Sequence, residues 1–80
     1  EYTRILAKAF ILINIASGAE ESVLKNIIKI QSTVKADFIY GKYDCIIIME
    51  SDKTDSLKTD IFLLRKTPNI TSTLTMMVID

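Results

Sequence analysis

The architecture of the chain turns on residues 34–50, Val-Lys-Ala-Asp-Phe-Ile-Tyr-Gly-Lys-Tyr-Asp-Cys-Ile-Ile-Ile-Met-Glu. Val34 to Tyr40 alternates: Ala36, Phe38 and Tyr40 fall on one side, Lys35, Asp37 and Ile39 on the other. Successive strand side chains point to opposite faces, so this is a strand with one wetter face. Cys45 to Met49 is apolar on both faces, as expected of a strand in the middle of a sheet. Gly41-Lys42 makes a short turn between them, which predicts an antiparallel hairpin. The polar alternation of residues 34–40 suits an edge strand.

Upstream, residues 9–15 (Ala-Phe-Ile-Leu-Ile-Asn-Ile) read as a strand, which residues 5–8 can extend. Ser17-Gly18 breaks it, and Ser17 with Glu20 fits a capping box. Val23, Leu24, Ile27 and Ile28 form one helical stripe, and Glu21 and Lys25 are an i,i+4 pair in the favourable order. This predicts a helix over about 19–31. Downstream, Ser51 to Thr54 supplies helix caps. Leu57, Ile61 and Leu64 recur at helical spacing, and Arg65 and Lys66 suit a last turn, so a second helix is predicted over about 54–66. Thr67-Pro68-Asn69 stops it, and residues 72–79 form a final strand. With right-handed crossovers, this β-α-β-β-α-β order predicts an α+β, ferredoxin-like two-layer sandwich. Its antiparallel sheet order is 4-1-3-2, with both helices on one face.

Eighty residues make one domain, 1–80, with its core at 8–80. Lys and Arg balance Asp and Glu, giving zero net charge and a pI of about 6.5, so no basic face for nucleic acid is expected. The chain contains no His, which excludes a His base or metal ligand. Its single Cys45 excludes an internal disulfide and a zinc cluster. No metal or cofactor is therefore expected. No uninterrupted apolar run exceeds five residues, against the ~20 needed to span a bilayer. The sequence begins at Glu1 without Met and without a signal-peptide pattern, as a trimmed chain would. A reducing, cytoplasmic location is expected.

Two helices cover one side of four strands, and the other side should then alternate with polar residues. The strands do not follow that rule. Ile11, Ile13 and Ile15 oppose Phe10 and Leu12; Ile46 and Ile48 oppose Cys45, Ile47 and Met49; Leu74, Met76 and Val78 oppose Met77 and Ile79. Monomers rarely expose so much apolar surface. Burying ~600 Å² per partner at ~25 cal/mol/Å² is worth roughly 30 kcal/mol gross, above the ~4–15 kcal/mol cost of association. A dimer joined sheet face to sheet face around a two-fold axis is expected, with Phe10, Leu12, Ile47 and Met77 at the interface.

Gly41-Lys42-Tyr43-Asp44 is the most specific local feature. Hairpin chemistry alone accounts for it, since Gly supplies positive φ and Asp ties down turns. It also offers a ligand a bare backbone at Gly41, a flat wall at Tyr43 and a carboxylate at Asp44 for an ammonium. Thr73 and Thr75 share a face of the last strand; strand propensity explains them, and they also present hydroxyl donors for a carboxylate at the dimer seam. No nucleophile–base pair stands out, Cys45 reads as inert core, and no enzyme is expected.

Residues 9–13 (Ala-Phe-Ile-Leu-Ile), the Gly41-x-Tyr43-Asp44 signature followed by Cys45-Ile46-Ile47, Thr67-Pro68-Asn69-Ile70 and Thr73-x-Thr75 together resemble the effector-binding (RAM) domain of Lrp/AsnC transcriptional regulators. The match covers about residues 8–80. It implies a βαββαβ fold and dimers through the sheets (a dimeric α/β barrel), often in rings of four. It further implies small effectors, typically amino acids, held between subunits to regulate transcription. Gly41, Tyr43 and Asp44 match the signature loop, and Thr73 and Thr75 the strand-four hydroxyls. Asn69 stands where the family usually has Gly, and Cys45 where a larger residue is common. The first departure should change only a turn, since Asn tolerates left-handed backbone; the second reshapes the pocket or interface. The sequence holds no helix-turn-helix segment, so it looks like a stand-alone effector domain or a fragment of a regulator, able to join full-length relatives.

Three rivals share parts of this pattern. A small dimeric α/β-barrel enzyme usually needs a His or a polar pocket. An ACT-type amino-acid-binding domain pairs through edges or helices and carries a Gly-rich first loop. The third is an oligomerisation module without ligand.

Overall fold

The computed structural model describes residues 6–78. Six elements follow one another: β1 (Ala7–Ile15), α1 (Glu20–Ile27), β2 (Thr33–Phe38), β3 (Cys45–Ser51), α2 (Thr54–Arg65) and β4 (Ile70–Met77). The strands form one antiparallel sheet in the order β2-β3-β1-β4, which is the expected 4-1-3-2 order read from the other edge. The fold is a ferredoxin-like α+β sandwich. As expected, the most apolar strands, β1 and β3, are central, and the alternating β2 is at an edge. Residues 5 and 79, assigned to strands from sequence, lie outside the described residues.

Alternation sorts the side chains of β1 cleanly. Ala9, Ile11, Ile13 and Ile15 are buried against the helices, and Cys45, Ile47 and Met49 join them from β3. The helices close this core with Val23 and Ile27 of α1 and with Leu57, Ile61 and Leu64 of α2.

α1 is shorter than its sequence pattern. It ends at Ile27, and the chain tightens there, Ile30 N–H donating to the Ile27 carbonyl at 3.0 Å. Ile28 is therefore turned outward, 59% exposed. The expected capping box does not form. Ala19 is the N-cap, with no side-chain cap bond, because Gly18 at φ 88° carries the chain two residues past Ser17 before the helix starts. Ser22 Oγ donates to the Ala19 carbonyl instead, at 3.1 Å. α2 begins after Lys53, also without a side-chain cap bond, so none of the expected cap residues performs that role.

The face opposite the helices is set by the register. Phe10 pairs with Ile48 and Met76, and Leu12 with Ile46 and Leu74. Directly opposed residues of antiparallel strands share a face, so these six form one apolar patch, with Leu74 and Met76 exposed. Two interface assignments are corrected. Ile47 pairs with Ile11 and is fully buried on the helix side, and Met77 pairs with Ala9 on that same side. The period of two gives their places on the outer face to Ile46, Ile48 and Met76.

Candidate functional site

The signature residues belong to the β2–β3 connection, which is longer than a two-residue turn. Ile39 N–H donates to the Asp44 carbonyl at 3.0 Å, leaving residues 40–43 as the loop. Tyr40 is fully exposed. Gly41 has φ 129°, and a Cβ built there meets nothing within 4 Å. Glycine is therefore required by backbone conformation, not by crowding, and the space beside it is open. Tyr43 is half-buried next to it.

Asp44 is a structural tie. Its Oδ2 accepts from Ile15 N–H at 2.8 Å, and its own N–H donates to the Ile13 carbonyl at 2.9 Å. Both bonds fasten the loop to the end of β1, where the β1–β4 register shifts between Asn14 and Ile15. Across the sheet, Asn69 adopts φ 71°, and its carbonyl accepts from Ala16 N–H at 2.8 Å. The residue expected to change only a turn occupies the left-handed conformation that Asn tolerates. The loop, the end of β1 and the start of β4 are thus knitted into one corner.

Thr73 and Thr75 are not at the outer seam. They pair with Ile13 and Ile11 and so point to the helix side. The outer face of β4 carries Ser72, Leu74 and Met76 instead, and Asn14 Nδ2 donates to Ser72 Oγ at 2.9 Å. Gly41, Tyr43 and Asp44 therefore gather at one corner, while the two threonines lie on the opposite side of the sheet.

Polar groups rim the apolar outer face, and their partners lie within the chain. Lys8 Nζ is 3.6 Å from Glu50 Oε2 and also lies 5.3 Å from the Phe10 ring centroid. Lys35 Nζ is 3.5 Å from Asp37 Oδ2 along β2. With the Asn14–Ser72 bond, these six side chains form three pairs that carry no net charge among them.

Two clefts lie elsewhere, neither lined by the signature loop. One, of about 490 Å³, opens among Ser32, Glu50, Asp52, Asp55 and Asp60. Its Asp60 Oδ2 accepts from both the backbone N–H and the hydroxyl of Ser32, tying α2 to the start of β2. Among the described residues, no group of three or more Cys, Asp or Glu is placed to hold a metal ion. The other cleft, between α2 and β4, contains Thr75. Sequence reasoning missed it, because only the register reveals that α2 and the inner side of β4 face each other.

Cys45 is fully buried, and its burial, reinforced by the negative charge of Asp37, pushes the thiol up to about 11. It is a core residue. No helix among the described residues is long and apolar enough to cross a membrane.

No protein-family model matches the chain, and no curated protein does. Solved structures do. The crystal structure of FFRP-DM1 is 35% identical, with a TM-score of 0.83 over 91% of this chain and 99% of its own. The chain belongs to the Lrp/AsnC family. AsnC of E. coli superposes on this Lrp/AsnC domain with a TM-score of 0.81 at 22% identity; the match covers 92% of this chain and 51% of AsnC. The transcriptional regulator NMB0573 of Neisseria meningitidis, solved as a complex with L-Met, has a TM-score of 0.79 at 14% identity, over 100% of this chain and 59% of its own. Both share the fold of this Lrp/AsnC domain, and this chain spans little more than half of either. These neighbours are Lrp/AsnC-family regulators.

Proposed function

We propose that this Lrp/AsnC domain dimerises through its outer sheet face and senses an amino acid bound between subunits beside the Gly41–Asp44 loop, as part of transcription regulation in the cytoplasm. The observation that carries the reading is the apolar patch of Phe10, Leu12, Ile46, Ile48, Leu74 and Met76, which no element among the described residues covers. A second copy lying on it brings complementary apolar surface and meets side chains already paired within their own chain at Lys8–Glu50, Lys35–Asp37 and Asn14–Ser72.

The signature corner lies at the end of that face, and one chain supplies only part of a pocket there. Gly41 leaves the backbone bare, Tyr43 offers a wall, and Asp44 has Oδ1 for an ammonium while Oδ2 holds Ile15. A ligand touching two subunits stabilises the assembled state by its differential affinity. The L-Met complex of NMB0573 supports an amino acid as the effector class. Assembly beyond the dimer into octameric rings of four dimers, and mixing with full-length relatives, belong to the same reading.

Thermal-shift and sedimentation measurements with each of the twenty amino acids at millimolar concentration test it. At least one should raise the melting temperature and sharpen assembly, and Gly41→Val should abolish that response. A folded monomer at micromolar concentration, or no response to any amino acid, refutes it.

A further inference from the structure

α2 packs chiefly over β1 and β3, leaving the helix-side face of edge strand β4 only partly covered, with Thr75 half-buried and Met77 exposed. The resulting groove, about 290 Å³, is lined by Lys58, Ile61, Phe62, Arg65, Thr75 and Met77. Its size lies at the bottom of the ~300–1,000 Å³ range of small-molecule sites, which suits a small ligand. We propose that it binds a small monocarboxylate with a branched apolar tail and no ammonium group.

Residues 58, 61, 62 and 65 share one helical stripe, and Lys58 and Arg65, ~10.5 Å apart along the axis, bracket Ile61 and Phe62. α2 must return from the end of β3 to the start of β4, so it runs opposite to β4. Arg65 then lies toward Thr75, and Lys58 toward Met77. The carboxylate sits between the Arg65 guanidinium and the Thr75 hydroxyl, a charge-assisted pairing. The tail rests on Ile61, Phe62 and Met77.

Selectivity follows from the lining. Among the described residues, no acidic side chain borders the groove and neither Lys58 nor Arg65 is in an ion pair. Lys66 Nζ lies 4.4 Å from the Phe62 ring centroid and adds positive charge to the same wall. An α-ammonium would face like charges with no carboxylate to receive it, so the groove prefers an acid to the corresponding amino acid. The site lies on the helix side of one chain and is independent of the site between copies.

The three methionines are separate reporters. Met77 lines the groove, Met76 lies on the outer face, and Met49 is in the core. Chain labelled with ¹³C at the methionine methyls is titrated with 4-methylpentanoate. A saturable Met77 shift, half-complete below about 10 mM, is expected, with Met49 and Met76 unmoved. Arg65→Gln, at an exposed position, should weaken it at least tenfold, and leucine and 4-methylpentan-1-ol should leave Met77 unmoved. The response should persist in Leu12→Lys, which separates it from any failure of the between-copy site. An unmoved Met77, a shift of Met76 alone, equal binding in Arg65→Gln, equal binding of leucine, or loss in Leu12→Lys overturns the proposal.

Discussion

Replacing Leu12 by lysine places a charge at the centre of the outer face, between Ile46 and Leu74. In one chain the change is mild, because Leu12 is partly exposed at mid-strand and a lysine stem lies along apolar surface with its head in water. In a two-fold dimer it is severe, because both copies carry it. Each substitution forfeits about 1.5–3 kcal/mol of leucine burial, so the pair loses about 3–6 kcal/mol. At about 1.4 kcal/mol per tenfold, the dimer weakens by roughly 10²- to 10⁴-fold, and repulsion between two ammonium groups adds to that. Sedimentation velocity across the micromolar range should show a dimer becoming a monomer, with an unchanged far-ultraviolet circular dichroism spectrum. Met77→Lys is the control: its neighbour in sequence faces the patch, but Met77 itself lies on the helix side and should leave the dimer intact. A Leu12→Lys chain as dimeric as its parent refutes the sheet-face assembly, and so does a Met77→Lys chain that dissociates equally.

Asp44→Ala strips the acceptor from Ile15 N–H, a loss of about 1–3 kcal/mol. For a domain of this size each kcal/mol moves the melting temperature by about 4–8 °C, so calorimetry at fixed protomer concentration should show a clear drop, smaller for Asp44→Asn, which keeps a carbonyl acceptor; no change in either variant would mean that the tie is not structural. Cys45, its thiol raised to about 11 against an ordinary 9.0, contributes stability that is fully present below pH 9 and is lost as pH rises from 9 through about 11. Alkylation by iodoacetamide at pH 8 should therefore be slow in the folded chain and rapid once denaturant is added, whereas equally fast labelling in both would place Cys45 at the surface.

The sheet could be read from sequence because strand polarity depends on position in the sheet: the two-sided apolar β1 and β3 are central and the alternating β2 is at an edge. Which face each residue takes was less legible. In a strand apolar on both sides, the pattern is symmetrical under a one-residue slip, and only pairing with Ala9 and Ile11 turns Met77 and Ile47 inward. The same slip moved Thr73 and Thr75 from the seam to the helix side. The helix starts misled for another reason. Ser17 fits a capping box by spacing, but a left-handed Gly18 delays the helix to Ala19, and spacing alone carries no information on φ. The Gly41-x-Tyr43-Asp44 signature falls in the connection between β2 and β3 as its turn chemistry implies, but its spacing gives no hint of the bond from Ile15 to Asp44, which joins groups 29 positions apart in sequence.

The self-contained pairs around the outer face, Lys8 with Glu50, Lys35 with Asp37 and Asn14 with Ser72, leave few charges for a newcomer to recognise or reject. Interfaces usually discriminate between partners through unmatched charges. Here those three pairs carry little of that code, so choice among similar domains in one cell falls largely to the shapes of Phe10, Leu12 and Ile48. Hybrid assemblies would form whenever two such surfaces interlock, and raising ionic strength would do little to sort them.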